Sequence, residues 1–176
     1  INIAPMAENI MRDGVSIVDT CKELEQRGAD VVGMNCFRGP ATMLPYLKEI
    51  RKAISCHMAA LPLPFRTTEE NPTFFNLPDN NGCTCHAPHG RTFPTALDPL
   101  YCNRYEMRAF FEEVNKIGIK LLGVCCGATP MHQREVAEAV GLIVPASKYR
   151  EKMANHFMYG TNERIAKHMQ EYGDEA

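Results

Sequence analysis

The chain has 176 residues, 45% of them hydrophobic, and 19 Lys and Arg against 21 Asp and Glu, for a net charge of −2. This is the composition of about one globular domain, with no basic excess to meet a phosphate backbone and no apolar run near the ~20 residues that span a bilayer. Its eight cysteines fall short of the ~8–10% that marks a disulfide scaffold and point to a reducing, cytoplasmic setting with free thiols.

In chain order, residues 15–27 place apolar groups at Ile17, Val18, Cys21 and Leu24, the spacing of an amphipathic helix, which Gly28 stops. The β-branched run from Asp30 to Cys36 follows directly and reads as a buried parallel strand. A helix is expected from Met43 to Ile54, with Pro45 in its first turn, and a strand from His57 to Leu61, closed by Pro62 and Pro64. From Pro62 to Cys102 no periodicity holds and prolines accumulate; a connection of this length inside a compact domain tends to be functional. Helix pattern returns at Asn103–Lys116, strand at Ile119–Val124, and helix at Pro130–Val140, with Pro at the favoured first position. The division read here is 1–145 for the α/β part and 146–176 for a polar tail, which is a candidate oligomerisation segment.

Two stretches repeat at an offset of 90. Glu23, Gly28, Gly33, Cys36 and Pro40 correspond to Glu113, Gly118, Gly123, Cys126 and Pro130, a shared frame of helix, Gly, strand and Gly-x-x-Cys-x-x-x-Pro. Helices alternate with strands through connections too long for hairpins, so the sheet should be parallel, either doubly wound or a (β/α)₈ barrel. A barrel takes about 250 residues. Three strands therefore read as the C-terminal portion of one, and the start at Ile1 reads as the interior of a longer polypeptide. An isolated half barrel would expose unpaired strand edges and should aggregate or need its missing half.

Working residues of parallel α/β proteins sit at the C-terminal ends of strands, where Cys36, Cys125 and Cys126 fall. If His57–Leu61 lies between the two repeat strands, Cys36 and Cys126 come from alternate strands and share a layer. Consecutive strand residues point to opposite faces, so the strand must end at the Cys pair, with Gly123 and Gly127 giving the backbone freedom for a turn. A disulfide within the pair is disfavoured, because adjacent Cα atoms lie about 3.8 Å apart, below the usual ~4.4 Å minimum. Soft thiolates select zinc, and three ligands with a fourth position open define a catalytic rather than a structural site. Three thiolates on Zn²⁺ carry a net charge of −1, which suits holding a fourth sulfur as a nucleophilic thiolate. Thiol alkylation is the reaction class this favours; the plain alternative is three buried free thiols at strand ends. A second cluster, Cys83, Cys85 and His86 with His89, lacks zinc-knuckle spacing and reads as a solvated loop. Cys21, Cys56 and Cys102 read as core or surface thiols, His132 as a packing residue, and Asn35 as either a turn cap or a substrate-orienting residue.

Gly33-Met34-Asn35-Cys36 and Gly123-Val124-Cys125-Cys126-Gly127 resemble the two zinc-binding motifs of the homocysteine S-methyltransferase family. The resemblance runs from about Gly14 onward and implies a (β/α)₈ barrel whose sixth and eighth strands end in the motifs. It implies zinc on Cys36, Cys125 and Cys126, and methyl transfer to homocysteine to give methionine. The implied donor is betaine, which leaves as dimethylglycine. Alternatives are S-methylmethionine or another sulfonium as donor, or a non-catalytic zinc-binding or redox protein. The chain departs from the family in having Val124 where a second glycine is usual, which would put a side chain near the site. It also carries an unmatched loop at 67–95, and it lacks the family's early strands, so that alone it should be inactive.

Overall fold

The computed structural model describes residues 1–79 and 90–175. It divides into two compact units, Ile1–Val144 and Pro145–Ala176.

The first unit is built on a parallel four-stranded sheet. β1 (Asn2–Ile3) is followed by α1 (Ile17–Gln26), β2 (Val31–Asn35), α2 (Pro40–Ala53), β3 (His57–Leu61), α3 (Arg104–Lys116), β4 (Leu121–Leu122) and α4 (Pro130–Ala139). Strand order is β1-β2-β3-β4, every pair parallel. Sequential order without reversal is how barrel strands follow one another, whereas a doubly wound sheet turns back at a switch point. The sheet therefore has four strands where the sequence suggested three. β1 is two residues long, too short to show any alternation.

In β2 and β3 the even-numbered residues face the helices, as does Ile3 of β1, which pairs with Met34. Val32 and Met34 of β2 and Met58 and Ala60 of β3 are buried with Leu47 and Ile50 of α2 and Met107, Phe111 and Val114 of α3. The odd positions of β2 and β3 face the other way, and there Gly33 meets Ala59 so closely that a Cβ on Gly33 would lie 2.2 Å from the Ala59 carbonyl oxygen.

α2 begins at Pro40, three residues before the expected Met43. Pro40 and Pro130 thus both occupy helix first positions, as the repeat frame requires, while Pro45 lies inside the helix and not in its first turn. With no N–H, Pro45 leaves the Ala41 carbonyl without its usual helical donor. Pro45 is accommodated because the first turn is already anchored at Gly39: its N–H donates to Thr67 Oγ1 at 3.1 Å, and its carbonyl accepts the Met43 N–H.

The start of β3 is fixed from α1. Glu25 Oε1 accepts the Ser55 N–H, the Ser55 hydroxyl and the Cys56 N–H, each at 2.7 Å. These donors, the Ser55 hydroxyl foremost, hold the Glu25 carboxyl below its ordinary value of about 4.3. A depressed folded-state pKa contributes stability above the unfolded value, and that contribution is lost as pH falls through the folded one. Stability should therefore decline below about pH 4.3, and Glu25→Gln should flatten that part of a urea-midpoint profile against pH.

The described residues of 62–102 form more structure than their sequence suggests. Leu63, Phe65, Phe74 and Leu77 make a second apolar cluster, against which Phe37, Tyr101, Cys36 and Cys125 pack. Short 3₁₀ turns cover Phe74–Asn76 and Asp98–Leu100. Cys83, Cys85, His86 and His89 lie outside the described residues.

The second unit contains 3₁₀ turns at Pro145–Tyr149 and Met153–Asn155 and the helix α5 (Lys167–Glu175). His156 Nδ1 accepts the N–H groups of Met158 and Tyr159, at 3.2 and 3.1 Å. Among the described residues no helix is long and apolar enough to cross a membrane.

Candidate metal centre

Cys36 directly follows β2, and Cys125 and Cys126 follow β4 by three and four residues. Because β3 lies between β2 and β4, the two motifs come from alternate strands. Pairing continues past both strand ends through backbone alone: the Cys36 N–H donates to Leu61 O and the Cys125 N–H to Pro62 O, each at 3.0 Å. Pro62 has no N–H to return, so regular pairing stops there and the chain is free to turn.

Cys36 and Phe37 turn sharply. Their φ angles are 68° and 62°, both in the left-handed region that side chains rarely enter. Such residues cost about 1–3 kcal/mol each and persist where the surroundings hold them. The Arg38 N–H donates to Cys36 O at 2.7 Å, closing a three-residue γ-turn on Phe37, the rare and strained form. At the other motif the turn is made by Gly127, with φ 83°. Gly123 has no positive φ, and a Cβ there would meet only the end of the Leu61 side chain, 3.2 Å from its Cδ2.

These turns bring the three sulfurs together. Cys36 Sγ lies 3.9 Å from Cys126 Sγ, and Cys125 Sγ lies 3.7 Å from Cys126 Sγ. All three are within 4.8 Å of one another. A tetrahedral zinc with Zn–S bonds of about 2.3 Å requires S···S edges of about 3.8 Å. The donor set therefore fits a soft metal ion in both chemistry and spacing. Burial, contact with the Cys125 thiol and the neighbouring thiol charges push the Cys36 thiol up to about 12, against a smaller opposing effect of the Phe37 N–H. Without a cation it is a neutral thiol at pH 7, so metal binding there must release its proton. Cys36 and Cys125 are half-buried and Cys126 is exposed, so the trio opens on the Cys126 side. A cleft of about 240 Å³ adjoins Cys126, lined by Phe65, Phe74, Leu97, Asp98 and Tyr101 among others.

The remaining sequence candidates divide clearly. Asn35 is the last residue of β2, half-buried, paired in register with Leu61 and adjacent to the Cys36 turn. Val124 does not intrude on the site as the sequence suggested; it packs against the main core. His132 is buried, its Nδ1 accepting the Thr129 N–H at 3.0 Å and its Nε2 donating to Cys102 O at 3.1 Å, a helix-capping and packing role. Its ring stacks on Tyr101, whose hydroxyl donates to Gly127 O at 2.9 Å. Tyr101→Phe should cost about 1 kcal/mol in urea unfolding by freeing the Gly127 carbonyl, and should leave the ring packing intact. Cys21 and Cys102 are buried thiols pushed up to about 12, chiefly by burial.

Arg38 is the residue that sequence reasoning missed. It is 1% exposed, and its guanidinium donates to Met6 O at 2.6 Å and Asn9 Oδ1 at 2.7 Å and lies 5.1 Å from the Tyr46 ring centroid. A lone arginine at a strand end ordinarily reads as a solvated charge, and nothing in its neighbours signals burial.

The geometry defines a cluster of three thiols able to hold a metal ion at the carboxyl edge of a parallel sheet, and comparison with known proteins gives its lineage. The sequence model of the family Homocysteine S-methyltransferase matches residues 1–140, and the chain belongs to that family. It is 34% identical over 129 residues to betaine–homocysteine S-methyltransferase 1 of Danio rerio, covering 71% of this chain and 30% of that protein. Identity to the Xenopus tropicalis protein of the same name is 27% over 146 residues, 77% of this chain and 33% of that one. Identity to S-methylmethionine–homocysteine S-methyltransferase of Mus musculus is 29% over 136 residues, 72% of this chain and 34% of that one. The chain spans about a third of the length of the curated relatives it matches.

Proposed function

We propose that this chain supplies the thiol-activating part of a cytoplasmic, zinc-dependent methyltransferase that moves a methyl group from betaine to homocysteine, giving methionine and dimethylglycine. The observation that carries this reading is the sulfur spacing of 3.7 and 3.9 Å, which equals the edge of a zinc tetrahedron. Cys36, Cys125 and Cys126 would hold the ion. When bound, Zn²⁺ would supply the positive charge that keeps an acceptor thiol deprotonated at neutral pH.

The chain's own residues do the rest. The left-handed turn at Cys36 and the Gly127 turn orient the three sulfurs so that one side stays open at Cys126. Asn35, beside that turn, orients the acceptor. The aromatic rings and Asp98 of the adjoining cleft favour a methylated cation over a neutral molecule. In the reaction a sulfur lone pair of homocysteine forms the new S–C bond while the N–C bond of betaine breaks, its electron pair leaving with nitrogen. Alignment of the two reactants is the protein's main contribution.

In this reading β1–β4 are the fifth to eighth strands of a (β/α)₈ barrel, with the cysteine motifs on the sixth and eighth, and the tail from 146 to 176 packs between subunits. A sulfonium donor is the second reading, favoured by the similarity to the mouse S-methylmethionine enzyme. The test is methionine formation by the zinc-loaded full-length protein from homocysteine with betaine or with S-methylmethionine. Methionine from betaine and one zinc per chain are expected. Turnover with the sulfonium alone would reassign the donor, and absence of both zinc and methionine would overturn the proposal.

A further inference from the structure

We infer that Arg38 is a positioning residue for Cys36, holding the strained turn that aims its sulfur at Cys126; this rests on the metal reading proposed above. The turn at Cys36 and Phe37 is left-handed at two consecutive residues that carry side chains, and such a conformation needs an external restraint. The covalently next residue supplies it from both ends. The Arg38 backbone closes the turn by donating to Cys36 O at 2.7 Å and accepting the Leu63 N–H at 3.0 Å. Its side chain reaches across to the connection between β1 and α1, donating to Met6 O and Asn9 Oδ1 from one Nη2 atom, and lies against Tyr46 of α2.

The choice of residue is informative. No ion pair of Arg38 with a carboxylate occurs among the described residues, and its partners are neutral acceptors and an aromatic ring. Burying a guanidinium against neutral groups costs more than a solvated arginine would, so packing alone does not explain it. One Nη2 atom of the guanidinium holds both acceptors while its plane lies against the Tyr46 ring, and its buried Nε has no hydrogen-bond partner. Arg38 thereby fastens one ligand turn to a segment more than 25 residues earlier in the chain, Met6–Asn9, whose Asn9 is itself left-handed at φ 41°.

The test compares Arg38→Met, Arg38→Lys and Asn9→Ala in the full-length protein. Zinc affinity is read by chelator competition, and site geometry by the thiolate-to-metal charge-transfer band after cobalt substitution. Arg38→Met is expected to weaken zinc about 10–100-fold, the range for residues that orient metal ligands, with Arg38→Lys intermediate and Asn9→Ala weaker but in the same direction. Glu25→Gln, at the opposite end of β3, serves as the stability control and should leave affinity unchanged. Asn9 is exposed, so its variant reports even if Arg38→Met does not fold. Wild-type affinity and an unaltered cobalt band in Arg38→Met, or in Asn9→Ala should Arg38→Met not fold, would overturn the inference.

A metal-free readout separates this from failure of the metal reading. Phenylarsine oxide bridges two close thiols, forming two As–S bonds and releasing water. In a Cys125→Ser background it should link Cys36 to Cys126, as seen by peptide mapping, and the link should be lost with Arg38→Met or Asn9→Ala. If the wild type binds no zinc but this dependence holds, the metal reading falls and Arg38 keeps its role; an undiminished link in both variants removes that role.

Discussion

If the proposed function holds, Cys126→Ala in the full-length protein is expected to abolish bound zinc and methyl transfer together, each by more than the ~100-fold that loss of a merely supporting residue costs. Cys126 Sγ lies 3.9 Å from Cys36 Sγ and 3.7 Å from Cys125 Sγ, so its loss takes away the sulfur in close contact with both others. Metal content by atomic emission and methionine production should fall in parallel. Because Cys126 is exposed, the substitution opens no cavity, and thermal stability of the metal-free protein should be nearly unchanged. A variant that lost methyl transfer but kept stoichiometric zinc would exclude Cys126 as a ligand.

The second large effect is on folding. Gly33→Ala would set a methyl group 2.2 Å from the Ala59 carbonyl oxygen and 2.7 Å from its Cβ, with two paired strands on either side that cannot separate without breaking their ladder. A loss of about 3 kcal/mol or more is expected, at the upper end of overpacking costs. Its counterpart in the repeat, Gly123→Ala, meets only the flexible end of Leu61 at 3.2 Å and should cost less than about 1 kcal/mol. Urea midpoints of the two variants measure the contrast. Equal losses would mean that the strand-to-strand contact at Gly33 is looser than described.

The same comparison shows what the sequence could and could not reveal. The frame containing Gly33 and Gly123 was legible because helix, strand and punctuation recur at one spacing, and it led to Cys36, Cys125 and Cys126 and to strand alternation around β3. The two glycines were legible as glycines but not as different devices, because close approach depends on what the neighbouring strand carries. The left-handed pair Cys36–Phe37 was invisible, since neither residue type favours that conformation and tertiary contacts impose it. Arg38 was invisible for the same reason. The segment 62–102 lacked any period because its apolar residues, such as Phe65, Phe74 and Leu77, close a cluster through turns instead of along a helix or strand.

β3 contributes no sulfur, yet the two carbonyls that tie down the ligand turns belong to its neighbouring residues Leu61 and Pro62. Two successive peptide units thus serve as the spacing gauge for two arms of the chain that lie about ninety positions apart. Lengthening or shortening the segment ahead of Leu61 by a single residue would put that gauge out of step with both arms at once.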